Sequence, residues 1–121
     1  MGIEKDYYVW AMAGDHFNPA ALLSAAPLPN VSESGQICFG VNHPPRAAGG
    51  GIERAWTLFI SSTFTDHSVK GKSRKHRDDV RLTLQELAQA RARKYPPKDL
   101  IKLELTAETV IRQVHGRSRP N

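Results

Sequence analysis

The chain has 121 residues, 40% of them hydrophobic and 24% charged, with one cysteine and a formal net charge of +5. That length suits one domain with a single compact core, able to bury roughly two-thirds of the surface its unfolded form exposes, and the composition is that of a soluble globular protein. One cysteine excludes an internal disulfide. No apolar run approaches the roughly 20 residues that cross a bilayer, and no signal-peptide pattern opens the chain, so a cytoplasmic location without membrane contact is expected.

Residues 6–13 (DYYVWAMA) are rich in aromatic and β-favouring side chains and end at Gly14-Asp15, which predicts a strand buried on at least one face. Tyr7, Val9 and Ala11 share one parity, and Trp10 and Met12 share the other. If no further strand precedes it, this strand leaves an open edge, expected to be covered by the tail, by a second copy in a homo-oligomer or by a partner chain. Residues 15–27 hold Asn18-Pro19 and Pro27, which favour an irregular connection, although 20–26 could make one or two helical turns.

Residues 28–40 (LPNVSESGQICFG) read as a hairpin. Pro29 fixes its own φ and biases Leu28 toward an extended conformation. Asn30 can hydrogen-bond local backbone in a turn, and in the reversal that follows Gly35 is the residue best able to take positive φ. Gln36 to Phe39 resume an extended run, with Ile37 and Phe39 on one face and Cys38 on the other. A lone cysteine taken by itself reads as a small buried hydrophobe. If Ile37 and Phe39 face the core, however, Cys38 faces out.

Pro44, Pro45 and three glycines at 49–51 then give a flexible loop, either a gate beside Cys38 or a plain linker. Ile52, Ala55, Trp56, Phe59 and Ile60 lie at helical spacing, so 52–64 is predicted as a short amphipathic helix with Trp56 and Phe59 in the core; 56–60 could alternatively be a strand. The charge is uneven: residues 1–64 hold three Lys/Arg against five Asp/Glu, and residues 65–121 hold fourteen against seven. The densest run is KGKSRKHR, with Lys70, Lys72, Arg74, Lys75 and Arg77 in eight positions. Such a run is either a solvated loop or a partner-binding face for an acidic protein or nucleic acid phosphates.

Residues 78–95 give the clearest helix, with Asp78 and Asp79 at the positive end of its dipole, Val80, Leu84, Leu87, Ala88 and Arg91 along one stripe, and Pro96-Pro97 as its stop. Residues 101–105 alternate like an edge strand. A last helix over 106–115 would be closed by Gly116, so the domain is expected to span 1–116, with 117–121 as a disordered tail.

Pro29, Asn30, Gly35, Ile37 and Cys38 closely resemble the active-site segment of ubiquitin-conjugating enzymes, in which a His-Pro-Asn triplet precedes a short hairpin ending in Ile-Cys; Leu28 stands where the histidine usually does. The segment AWTLFISSTFTDHSVKGKSRKHRDDV, followed by a helical stretch and KYPPKDL, is similar to the bacterial branch of that superfamily that includes protein B of the PRTRC gene cluster, and the likeness runs from Tyr7 to about Leu105. The resemblance implies an α+β fold, a short antiparallel sheet and hairpin packed against helices. Only 27 residues precede Leu28, so the usual first helix and first strands are expected to be missing, as in a trimmed member, a fragment or one half completed by another polypeptide.

The chemistry that the resemblance implies is transthiolation. Cys38 would take a ubiquitin-like protein from its thioester with an activating enzyme and pass it to an amine or thiol. Asn30 would either donate a hydrogen bond to the developing oxyanion or hold the turn, and Pro29, Gly35 and Ile37 would be structural. No cofactor or metal is called for. His43, five residues after Cys38, suggests a Cys/His hydrolase, but that chemistry needs a third orienting group and a fixed loop. Zinc held by Cys38 with His16, His43 or His67 lacks tightly spaced ligand pairs, and the glycines at 49–51 lack the lysine and hydroxyl of a phosphate loop. The alternative to a thioester carrier is a non-catalytic module that binds protein or nucleic acid through its basic half or an open strand edge.

Overall fold

The two parities of residues 6–13 serve two different cores. The structure, a computed structural model, describes residues 2–3, 6–14, 16–40, 42–62 and 64–118. In chain order it contains β1 (Gly2–Ile3), β2 (Asp6–Tyr7), β3 (Trp10–Ala11), β4 (Leu22–Ala25), α1 (Gly51–Ser61), α2 (Val80–Gln89), a 3-10 turn (Pro97–Asp99), β5 (Lys102–Thr106) and α3 (Ala107–Ser118). This is an α+β chain. Strands β1 and β2 form one antiparallel pair, and β3, β4 and β5 form an antiparallel sheet in that order. The expected single strand over 6–13 is therefore split. Tyr7 is buried in a cluster with Ala26, Val31, Ile37, Ala55 and Phe59, against which Val9 also packs. Trp10 and Met12 pack instead with Leu23, Ala107 and Val110.

The edge left by this segment is covered from within the chain. The Ile37 N–H donates to the Tyr7 carbonyl at 2.7 Å and the Val9 N–H to the Gly35 carbonyl at 2.8 Å. Among the described residues this cover comes from the hairpin at 35–37. Residues 20–26 form neither a loop nor helical turns, because Leu22–Ala25 is the central strand of the sheet. Ala and Leu favour helix intrinsically, but two flanking partners override that weak preference. Strand β5 lies at the sheet edge, as its alternation predicts.

Helix α1 buries Ala55 and Phe59 behind the hairpin. It turns Ile52, Trp56 and Ile60 toward solvent, so Trp56 is not the core residue expected. Helix α2 is shorter than the 78–95 predicted. Asp79 caps it, its side chain accepting the Arg81 N–H, and a left-handed Arg91 (φ 52°) ends it. There the Arg91 N–H reaches the Ala88 carbonyl and the Ala92 N–H reaches the Leu87 carbonyl, the pair of bonds of a Schellman motif. Pro97 opens the 3-10 turn instead of stopping the helix. Helix α3 runs through Gly116 to Ser118; the rest of the expected tail, residues 119–121, lies outside the described residues.

The basic segment is a packed loop. Ser73, fully buried, donates to Asp99 Oδ2 at 2.6 Å and shares a hydrogen bond with Thr83 Oγ1 at 2.7 Å. The Lys75 N–H donates to Asp99 Oδ1 at 2.8 Å, and the Tyr95 hydroxyl also donates to Asp99. Burial alone would raise the Asp99 carboxyl, but hydrogen bonds from Ser73, Tyr95 and the Lys75 amide outweigh it and hold the group below the ordinary carboxylate range. Burial and the bond to Asp99 push the Tyr95 hydroxyl above its ordinary value. Beside Ser73, Lys72 is only 4% exposed, and its ammonium donates to the carbonyls of Leu28 and Val31, each at 2.5 Å. Burial lowers its pKa to about 8.

Replacing Asp99 with Ala leaves two hydroxyls and an amide without their acceptor, so a loss of about 3 kcal/mol or more is expected in urea denaturation. Lys72 sets a pH dependence. In the unfolded chain it holds its proton to about 10.5, and in the folded chain only to about 8. The unfolded state therefore binds more protons between those values, and stability rises with pH across that window, by on the order of 3 kcal/mol at most. Near pH 10 the raised Tyr95 begins to act in the opposite direction. Urea midpoints measured from pH 7.5 to 9.5 should climb in the native chain and lack this component in Lys72→Met.

Candidate functional site

Asn30 has φ 60°, a left-handed conformation that asparagine tolerates better than most residues. With Pro29 before it, the bend follows the type II pattern, proline second and positive φ third. Every polar group of Asn30 is used. Its N–H donates to the His67 carbonyl at 2.8 Å, and its carbonyl accepts the Cys38 N–H at 2.8 Å. Its side-chain Nδ2 donates to Thr65 Oγ1 at 2.9 Å, while Oδ1 accepts the Thr65 N–H at 3.0 Å. The side chain thus clamps residue 65 to the bend, and the backbone sets the register of Cys38.

Beyond the bend, the Ser32 N–H donates to the Gln36 carbonyl and the Gly35 N–H to the Ser32 carbonyl, enclosing a three-residue loop that ends at a left-handed glycine. Gly35 has φ +90°, and a Cβ there would lie 2.6 Å from the Trp10 ring. Two independent constraints therefore require glycine. The indole that presses on Gly35 leaves its own buried Nε1–H without a partner among the described residues.

Ile37 is buried and Phe39 packs on the same cluster, edge-on to Tyr7 and Phe59 at centroid distances of 5.8 and 6.2 Å. Cys38, between them, is exposed. The alternation of the extended run thus turns the sulfur to solvent as expected. The loop that follows is anchored. The Tyr7 hydroxyl donates to the Pro45 carbonyl at 2.5 Å, and Gly51 sits so close to the Arg46 carbonyl that a Cβ would come within 1.9 Å of it. Of the three glycines, Gly51 is thus needed for a close approach, whereas a Cβ at Gly49 or Gly50 would meet nothing.

Of the five cations offered as a possible binding face, four are exposed and one is turned inward. Lys72 is the inward one, its ammonium buried against the back of the bend. Arg74 is exposed but donates from Nε to the Leu100 carbonyl at 3.1 Å. Lys75 pairs with Glu86 at 2.6 Å, and the hydrogen bond and charge of Glu86 raise its pKa. Lys70 and Arg77 are exposed. Among the described residues no group of three or more His, Cys, Asp or Glu could hold a metal ion, and no helix is long and apolar enough to cross a membrane.

Sequence reasoning missed Thr65 and the inward turn of Lys72. Neither carries a local signal: Thr65 lies 35 residues from Asn30, and Lys72 lies 44 residues from Leu28.

A cavity of about 680 Å³ lies between the hairpin and the basic segment, lined by Trp10, Val31, Gly35, Ser68 and Lys70 among others. Cys38 is not part of its lining.

No curated protein and no solved structure matches the chain. The sequence model of prokaryotic E2 family D does, over residues 1–103. That match starts ahead of Tyr7, where the likeness to conjugating enzymes was expected to begin, and it takes in the bend, the hairpin, α1, α2 and the Ser73–Asp99 clamp. Since it covers most of the 121 residues, the chain belongs to prokaryotic E2 family D.

Proposed function

We propose that the chain carries a ubiquitin-like protein as a thioester on Cys38. Family membership gives it a role related to ubiquitin-like conjugation, with a ubiquitin-like modifier and an E1-like activating enzyme as partners in general. The observation that carries the finer reading is the exposed sulfur of Cys38 next to the buried Ile37, its backbone amide fixed by Asn30. In the proposed step the Cys38 thiolate attacks the carbonyl carbon of the modifier's C-terminal thioester. The tetrahedral adduct collapses with expulsion of the activating enzyme's thiolate. An incoming amine then attacks the new thioester, loses a proton to solvent and releases the Cys38 thiolate. Thiolates suit both halves, being strong nucleophiles and good leaving groups.

Asn30 acts in this reading by holding the bend, because its amide is committed to Thr65 at both ends. The finer likeness to PRTRC protein B, a UBC-type fold and a cytoplasmic setting belong to the same proposal.

Incubation with the cognate activating enzyme, ATP and modifier is expected to give an adduct that thiol reagents cleave and that Cys38→Ala abolishes. An adduct persisting in that variant, or none at all with verified components, would leave a non-catalytic binding module. Asn30→Ala is expected to lose about 1–3 kcal/mol of stability and to slow loading and discharge together. Slowed discharge to amines with normal loading would instead give Asn30 the oxyanion role.

A further inference from the structure

Lys72 comes from a segment remote in sequence and reaches a place on the hairpin where two carbonyls converge. Its Nζ lies 2.5 Å from both the Leu28 and the Val31 oxygens, which flank Pro29 and Asn30. Leu28 has no polar side chain with which to hold the bend. The residue that brings Lys72 there is itself fixed: Ser73 is fully buried and bonded to Asp99 and Thr83. Val69, three residues before Lys72, accepts the Val80 N–H at the start of α2. The ammonium is therefore held by a scaffold that belongs to α2 and the 3-10 turn, not to the hairpin.

An ammonium is a costly group to place here. Desolvating a charge takes several kcal/mol, and an apolar methionine would avoid that cost. Charge-assisted bonds to two carbonyls, about twice as strong as neutral ones, offset part of it and do something methionine cannot: they fix the spacing of the bend's two ends. We propose that Lys72 is a positioning residue, whose ammonium locks the Pro29–Asn30 bend from behind and so fixes the register in which Cys38 is presented. Its connection to the sulfur is short, since the Asn30 carbonyl between the two tethered residues accepts the Cys38 N–H. The proposal rests on Cys38 as the thioester site for its catalytic consequence, but its geometric content stands apart from that reading.

The test uses the full chain as Lys72→Met and Lys72→Gln, the latter keeping an N–H donor should the former fail to fold. Hydrogen exchange is followed at the Cys38 amide, with the Ala25 and Val80 amides as controls; these bond to the Ile101 and Val69 carbonyls, away from the bend. Exchange at Cys38 is expected to quicken by about tenfold or more in Lys72→Met while the controls hold. Thioester loading is expected to lose kcat with KM little changed, and Lys72→Arg, which restores a cation, to recover part of it. A folded Lys72→Met with native Cys38 exchange and native loading overturns the proposal. So does faster exchange spread evenly over all three amides, which would make Lys72 an ordinary core residue; if only Lys72→Gln folds, the same outcomes are read from it. Failure of the native chain to load would defeat the carrier reading alone, and the exchange pattern would still decide the role of Lys72.

Discussion

The structure turns on a bend of two residues that is gripped from three directions. Asn30 sits at φ 60°, a conformation that costs most L-residues roughly 1–2 kcal/mol. It is held there by His67 and Thr65 on one side, by the Cys38 amide on another and by Lys72 from behind through Leu28 and Val31. A strained residue persists only where its surroundings over-determine it, and together these bonds tie the bend to three different stretches of chain. The hairpin leaves the bend in a direction set by those ties. The alternation of an extended strand then makes Ile37 a core residue and Cys38 a surface one.

Tyr7 links this bend to the far side of the site. Its ring fills the first core, its carbonyl accepts the Ile37 N–H and its hydroxyl donates to the Pro45 carbonyl. The segments before and after Cys38 are thus fastened to one residue, and Phe39 wedges edge-on against its ring. The loop after Cys38 is therefore fastened where it meets Tyr7. Trp10, three residues on, turns to the second core and braces Gly35 from outside. Splitting 6–13 into two short strands is what lets one segment support both the hairpin and the sheet.

Much of this was legible in the residues because its causes are local. The parity of Tyr7, Val9, Trp10 and Met12 assigns them to two sides, the spacing of Ala55 and Phe59 finds α1, and the order Pro29, Asn30, Gly35, Ile37, Cys38 marks the hairpin. What escaped has causes at long range. Helix formers at 20–26 became β4 because β3 and β5 flank them. Helix α2 ended at Arg91, where nothing in that residue type announces a left-handed conformation. Trp56 looked like core by its helical spacing, yet α1 buries only the stripe of Gly51, Ala55 and Phe59. Lys72 was read with its charged neighbours, and no composition count separates the one cation that turns inward from the four that do not.

These failures share a lesson about the site itself. An isolated two-stranded hairpin is marginally stable in water, and the motif residues alone would not keep Cys38 in place. The contacts that do so span 35 residues to Thr65, 38 from Tyr7 to Pro45, and 41 and 44 from Lys72. Closing loops of that length is entropically unfavourable until several contacts form together. The bend, the basic loop and the Ser73–Asp99 clamp should therefore order as one cooperative unit. A short hairpin motif in such a chain is best understood as the visible end of a long-range structure: its residues specify which way the sulfur points, and remote residues such as Thr65 and Lys72 specify that it points there at all.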